Sequence, residues 1–118
     1  MNVSFKKKYS LQDRYNESRK ILEKYPGRVP LICERASSAS RDCIYIDKNK
    51  YLVPRDLTIG QLIYVIRKRM HLQPEKALFL FMNGIIPASL SMIGDLYEYH
   101  KENDGFIYIT YSLENTFG

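Results

Sequence analysis

The sequence lacks two features that would indicate membrane insertion or export. No apolar run in its 118 residues approaches the roughly 20 residues of a membrane-spanning helix. The basic segment Lys6–Lys8 is not followed by an apolar stretch, so the start does not resemble a secretory signal. We therefore expect a soluble protein, and an apolar content of 45% is typical of one globular domain.

Cysteine and histidine are scarce, which argues against catalysis and metal binding. Cys33 and Cys43 occur without an export signal, so a reducing compartment is expected. His71 and His100 fit no metal or catalytic-triad spacing, and no acid, base and nucleophile cluster together. We predict no catalytic residue, no metal and no enzymatic activity.

The net charge of +5 predicts acidic partners or anionic surfaces. The basic residues fall in short groups, Lys6–Lys8, Lys48 with Lys50, and Arg67–Arg69, and no nucleic-acid-binding motif accompanies them. We therefore predict no nucleic-acid partner. The Lys6–Lys8 group favours either anionic lipid or simply a solvated helix face.

Helix and strand signals follow one another along the chain. A short turn over residues 5–9 and a helix capped by Ser10 and ended by Pro26-Gly27 are expected first. From residue 28 the predicted order is β-β-α-β-β-α-β. The strands are predicted at residues 29–34, 51–53, 77–82, 85–87 and 106–111, with a helix from Thr58 closed by Pro74 and a short one capped by Ser89.

This order predicts an α+β fold, the ubiquitin-like β-grasp with a mixed four-stranded sheet and two additional N-terminal helices. The first and last long strands should lie side by side in the sheet, with Pro30 at an edge or at a strand start. We divide the single globular domain into a helical extension packed on the core (residues 1–27), the β-grasp core (28–112) and a flexible tail (113–118).

The chain ends on Gly118, which has no Cβ, so its carboxylate could enter a narrow enzyme channel. Such an end suits a protein that is itself joined to an amine, although a terminal glycine can also arise by chance. Several motifs favour the first interpretation. The segments Tyr25–Glu34, Lys50–Pro54, Pro74–Ala77, Asp104–Phe106 and Glu114–Gly118 together resemble the autophagy-related ubiquitin-like modifiers, the family that includes GABARAP.

The resemblance implies conjugation through Gly118 to phosphatidylethanolamine, with Phe117 and Thr116 recognised by the processing and conjugating enzymes. The implied partners are a cysteine protease that processes and delipidates the chain, a ubiquitin-like activating enzyme and a carrier enzyme. No cofactor is expected besides the covalent phospholipid. The implied location is the cytoplasm and, after lipidation, phagophore, autophagosome and vacuolar or lysosomal membranes.

The resemblance also implies docking of receptors and adaptors through short acidic aromatic-x-x-aliphatic motifs on an edge strand at residues 48–53. The aromatic pocket would comprise Glu17, Ile21, Pro30, Ile32, Lys50, Leu52 and Phe106. The aliphatic pocket would comprise Tyr51, Val53, Pro54, Leu57, Leu62 and Val65, and the acidic flank would meet Arg28, Lys48 and Arg69. Periodicity alone would assign several of these apolar residues to the core and the cations to a solvated face.

Two segments depart from the family pattern. Residues 36–45 appear about two residues longer and carry Ser37, Ser38 and Ser40 where charged residues are usual, while residues 85–91 are more apolar. Two other functions stay open on sequence grounds. One is a modifier of protein lysines, and the other is a non-conjugated trafficking or cytoskeletal adaptor.

Overall fold

Helices and strands account for most of residues 3–114, the part of the chain that the computed structural model describes. The helices are α1 (Phe5–Lys8), α2 (Leu11–Lys24), α3 (Ile59–Met70) and α4 (Ile93–His100). The strands are β1 (Arg28–Arg35), β2 (Lys50–Pro54), β3 (Phe79–Phe81) and β4 (Ile107–Ser112). Within this range no helix has the length and apolar character needed to cross a membrane.

The four strands form one mixed sheet in the order β2-β1-β4-β3. The central strands β1 and β4 run parallel, whereas β2 pairs antiparallel with β1 and β3 antiparallel with β4. The predicted ubiquitin-like β-grasp is therefore confirmed, as is the central pairing of the first and last strands. Pro30 lies near the start of β1, before the β4 ladder begins at Leu31, so its missing N–H interrupts no bond to β4.

Each face of the sheet is covered by different helices. On one face, Leu31 and Ile109 pack in the main core with Leu62 and Ile66 of α3. On the other face a smaller cluster joins Phe5 of α1 to the buried Ile32 and Phe106, with Ile21 of α2 packed against it. Alternation along β1 produces this division, because successive side chains point to opposite faces of a strand.

Helix α2 is attached to the turn before β4 by polar contacts that are almost fully buried. The Arg14 guanidinium donates to the Asp104 carboxylate at 2.6 Å, with side-chain exposures of 12% and 0%. The Ser18 hydroxyl donates to the Asp104 carbonyl at 2.6 Å. These contacts dock the N-terminal helices on the sheet. The division of the chain into a helical extension (1–27), a core (28–112) and a tail (113–118) stays a prediction.

One predicted strand is absent, and the predicted end of one helix is wrong. Residues 85–87 form no strand, because after the Asn83-Gly84 turn only Ile85 bridges back, to Met82. Helix α3 ends at Met70, where His71 adopts the left-handed conformation (φ 52°), and does not continue to Pro74. A left-handed residue after the last helical turn lets its N–H bond to the open carbonyls there, so the helix terminates before proline is reached.

The predicted cap at Ser89 is also wrong, and the cause is a tertiary contact. Helix α4 begins after Met92, which makes no side-chain cap. The carbonyls of Ser89 and Ser91 accept from Gly60 N at 2.9 Å and Ile59 N at 3.0 Å. Residues 88–92 therefore satisfy N–H groups in the first turn of α3, which have no partner within their own helix.

Candidate functional site

Strand β2 is an outer strand of the sheet, and its backbone on the side away from β1 is the natural place for an added strand. Among the described residues it pairs with β1 alone, from Arg28↔Pro54 to Ile32↔Lys50. An outer strand presents unpaired N–H and C=O groups, which an extended peptide can use for main-chain hydrogen bonds. The structure therefore places the predicted edge at the border of the sheet.

Side chains of β2 alternate between two differently lined faces. Tyr51 and Val53 belong to the main core on the α3 face and are 6% and 7% exposed. Lys50 and Leu52 are half-buried and pair with Ile32 and Pro30 of β1, on the face that carries α2. A peptide added to this edge would thus have alternate side chains directed to the two faces.

The α2 face carries the predicted aromatic pocket. Ile32 and Phe106 are fully buried and form its base, and Pro30 is buried beside them. An ion pair between Glu17 of α2 and Lys50 of β2 joins the helix to the edge strand. The half-buried members, which a ligand could reach without displacing the base, are Glu17, Ile21, Lys50 and Leu52.

The α3 face carries the predicted aliphatic pocket. Leu62 is fully buried, Leu57 is half-buried, and Pro54 and Val65 are exposed at the rim. The Tyr51 hydroxyl donates to the Lys48 carbonyl at 2.7 Å, and burial raises the pKa of Tyr51 to about 12. This tyrosine is therefore an uncharged part of the wall at neutral pH.

A groove that the sequence did not predict continues from this pocket. It has a volume of about 440 Å³ and lies between the start of α3 and the segment before α4. It shares Leu57 and Val65 with the aliphatic set, and its other lining residues are Thr58, Gly60, Gln61, Tyr64, Ser89 and Leu90. No local pattern could reveal it, because its two walls are about 30 residues apart in sequence. The one sequence feature that pointed to the groove is the apolar character of residues 85–91, which include the exposed Leu90.

The three predicted flank cations differ in their surroundings. Arg28 donates to the Leu52 carbonyl at 3.0 Å, so it braces the backbone of the edge strand. Lys48 lies over the Tyr51 ring at 5.1 Å. Arg69 pairs with Asp47 at 3.2 Å, which partly offsets its charge. All three lie on or near the edge, but Arg69 is already engaged by an acidic side chain.

The two cysteines are free and buried. Burial raises the pKa of both the Cys33 and the Cys43 thiol, so neither is poised as a thiolate nucleophile. In the described part of the chain, no group of three or more His, Cys, Asp or Glu side chains could hold a metal ion.

The predicted conjugation residues Thr116, Phe117 and Gly118 lie outside the described residues.

Comparisons with known proteins agree on one family. The profile described as "Autophagy protein Atg8 ubiquitin like" matches residues 13–118. The chain is similar to Autophagy-related protein 8 of Schizosaccharomyces pombe, with 53% identity over 100% of this chain and 96% of that protein. It is similar to Autophagy-related protein 8 of Candida glabrata, with 52% identity over 100% of this chain and 98% of that protein. The crystal structure of Trypanosoma brucei ATG8 aligns over 100% of both chains, with a TM-score of 0.89 and 38% identity.

Proposed function

The chain belongs to the Atg8 family of ubiquitin-like autophagy proteins, and we propose that it is a modifier conjugated through Gly118 to phosphatidylethanolamine on autophagosomal membranes. In the same proposal it acts in autophagosome formation and docks cargo receptors that carry aromatic-x-x-aliphatic motifs. The observation that carries the proposal is the similarity to curated Autophagy-related protein 8 chains over the full length of this sequence.

Conjugation to a phospholipid fits the physical needs of a reversible membrane protein. One acyl chain binds a bilayer only marginally, at about 0.8 kcal/mol per buried CH₂, whereas two chains hold a protein firmly. Cleavage of a single amide bond would release it again. In this role Gly118 is an acyl donor, and the chain is a substrate of a protease, an activating enzyme and a carrier enzyme without being an enzyme itself.

Receptor docking is supported by the arrangement of the two pocket sets around β2. In an extended peptide, residues three positions apart point to opposite faces, because side chains alternate with a period of two. The aromatic set lies on the α2 face and the aliphatic set on the α3 face of the same strand. A peptide paired with β2 would therefore direct its two anchors into the two sets at once.

The proposed location follows from conjugation: the cytoplasm for the free protein, and phagophore, autophagosome and vacuolar or lysosomal membranes for the lipidated one. The net charge of +5 is compatible with acidic receptor motifs.

The decisive experiment is intact-mass analysis of the protein recovered from the membrane fraction of autophagy-induced cells. We expect a mass increase equal to one phosphatidylethanolamine minus the water released when the amide forms. Phospholipase D, which cleaves between the phosphate and the ethanolamine, should reduce the increase to that of an ethanolamine amide. Gly118→Ala should lack this increase. Gly27→Ala is the matched control, because a Cβ at Gly27 meets nothing within 4 Å.

Two results would contradict the proposal. An unmodified mass for the membrane-bound wild-type protein would favour the non-conjugated adaptor. Discrete adducts with other proteins, resistant to phospholipase, would favour a modifier of protein lysines.

A further inference from the structure

The segment between β1 and β2, residues 36–49, is held in a fixed conformation by Arg35. This guanidinium donates to the carbonyls of Ala39, Ser40 and Cys43 at 2.9, 2.8 and 2.7 Å. The Cys43 side chain is buried in the main core. We call this segment the β1–β2 loop, and it contains residues 36–45, which are expected to be about two residues longer than the family pattern.

A second anchor fixes the part of the loop that carries its apolar side chains. The Tyr111 hydroxyl donates to the Ile44 carbonyl at 2.7 Å and accepts from the Ile46 N–H at 2.9 Å. Ile44 and Tyr45 are 51% and 54% exposed, and the Arg35 guanidinium stacks on the Tyr45 ring at 4.9 Å. Two apolar side chains are therefore held towards solvent on an ordered backbone.

Two contacts relate this loop to the free edge. Lys50, the first residue of β2, pairs with Ile32 of β1, and the Tyr45 ring stacks on Arg35, three β1 residues further on, which is roughly 10 Å along the strand at 3.3 Å per residue. Asn49, the last residue of the loop, accepts from the Cys33 N–H at 2.8 Å. The loop therefore leads directly into the edge on which the proposed function places the peptide.

The direction of that peptide follows from the two pocket sets, so the inference rests on the proposed function. The β2 members of the aromatic set are Lys50 and Leu52, while those of the aliphatic set extend to Pro54. A motif whose aromatic residue precedes its aliphatic residue therefore runs parallel to β2. The residues that come before the aromatic anchor then extend past Lys50 towards the β1–β2 loop.

Alternation identifies which of those residues meets the loop. The third residue before the aromatic anchor lies roughly 10 Å upstream and points to the face opposite the anchor, the α3 face. Arg35 is on that face too, because it alternates with Leu31 and Cys33, which pack in the main core. The Tyr45 ring, stacked on Arg35, is thus on the side to which this peptide residue points.

The charge of the loop favours an apolar peptide residue there over an acidic one. The two cations of the loop, Arg41 and Lys48, are matched by two carboxylates, Asp42 and Asp47. Asp47 also pairs with Arg69, at 3.2 Å. The loop itself therefore carries no net charge, and Arg35, the cation stacked on Tyr45, already donates to three loop carbonyls.

We propose that Ile44 and Tyr45 form a third contact site that selects receptor peptides with an apolar residue three positions before the aromatic anchor. This specificity resides in the β1–β2 loop.

Isothermal titration calorimetry with the full chain tests the site. Three 12-residue peptides share a Trp-x-x-Leu core with acidic residues at the two positions before the Trp, and carry Leu, Ala or Glu at the third. We expect the Leu peptide to bind about fivefold more tightly than the Ala peptide, which corresponds to partial burial of one aliphatic side chain. Tyr45→Ala should reduce this ratio to about one, and Ile44→Ser should reduce it in part.

The controls distinguish loss of this contact site from loss of folding and from weaker binding of the Trp-x-x-Leu core. Both variants should fold, because Arg35 and Tyr111 bind backbone atoms of the loop and both replaced side chains are exposed. Tyr99→Ala, which removes a tyrosine of α4 that is 87% exposed, should keep the fivefold ratio. Leu52→Ala should weaken the Leu and Ala peptides equally.

Each outcome has a distinct meaning. Equal affinities for the Leu and Ala peptides, tighter binding of the Glu peptide, or a ratio that survives in both loop variants would overturn the third contact site while leaving the docking proposal intact. Undiminished binding of a peptide in which Ala replaces both Trp and Leu would overturn receptor docking through this motif itself.

Discussion

At the scale of single residues, Gly105 is the glycine, among those in residues 3–114, where a side chain is least tolerated. Its φ of +86° is a conformation that residues with a Cβ rarely adopt, and a Cβ built there would overlap the Ser18 hydroxyl and lie 2.9 Å from the Ser18 Cβ. Ser18 is itself buried against the Asp104 carbonyl and cannot move aside without losing that hydrogen bond. The glycine therefore permits the close approach of α2 to the turn before β4.

We expect Gly105→Ala to lower the free energy of unfolding by about 3 kcal/mol, because backbone strain and steric overlap act together. Urea denaturation followed by circular dichroism measures this. Gly84→Ala is the matched control, since its φ is +78° but a Cβ would meet nothing within 4 Å. That variant should lose only about 1 kcal/mol, the cost of strain alone. Equal losses at the two positions would contradict the close approach.

At the scale of elements, the attachment of α2 depends on a buried ion pair as well as on the apolar contact of Ile21. In α2 the buried residue is Ser18, whereas Leu11 and Tyr15 are 48% and 41% exposed. Asp104 accepts from Arg14, from the Tyr108 hydroxyl and, at 2.9 Å, from the Phe106 N–H. A fully buried carboxylate with these partners is costly to leave without its cation.

Arg14→Ala should therefore destabilise the protein by about 3 kcal/mol, because it leaves the Asp104 carboxylate buried without its charge partner. Thermal or chemical denaturation reports the loss. Lys6→Ala is the comparison, as the Lys6–Glu102 pair of α1 has side-chain exposures of 46% and 34%. Exposed pairs contribute about 0–1 kcal/mol, so this variant should change little. A similar loss in both variants would show that burial of the pair is not what matters.

Elements whose signals are local were predictable from the sequence, and those set by distant contacts were not. Helix α3 is capped by Thr58, where the helix is predicted to start, and a capping box fixes this position. The Thr58 N–H donates to the Gln61 side chain at 2.9 Å, and the Gln61 N–H donates to the Thr58 hydroxyl at 3.2 Å. The start of α4 could not be predicted, because Ser89 serves the first turn of α3 instead of its own helix.

The candidate site was predictable only through resemblance to a family. Ile32 and Leu62 have the spacing and burial of ordinary core residues, so nothing in their own sequence context marks them as parts of a pocket. Their assignment to peptide pockets stays a prediction. Contacts between segments remote in sequence form the groove at Leu90 and anchor the β1–β2 loop to Tyr111. A sequence pattern within one element cannot predict such contacts.

At the scale of the whole molecule, many ionisable groups are buried in their neutral form. Burial raises the pKa of Tyr97, Tyr108 and Tyr111, and raises that of Tyr51 to about 12. The unfolded chain releases these protons near pH 10, the ordinary pKa of tyrosine. Between pH 10 and the higher folded-state pKa values, the unfolded state therefore binds fewer protons than the folded state, and stability falls as pH rises.

We accordingly expect the free energy of unfolding to decline from about pH 10 upward, by up to about 1.4 kcal/mol per pH unit for each such tyrosine. The buried thiols of Cys33 and Cys43, whose pKa values are also raised, should start the decline near pH 9. Urea denaturation at several pH values between 8 and 11, with a reductant present, measures the slope. Tyr51→Phe should make the slope shallower by about one proton, because it removes one of the buried hydroxyls with a raised pKa. A stability that stayed constant from pH 9 to pH 11 would mean that these side chains are reached by water in the folded protein, and that the core around β1 and β4 is looser than its burial indicates.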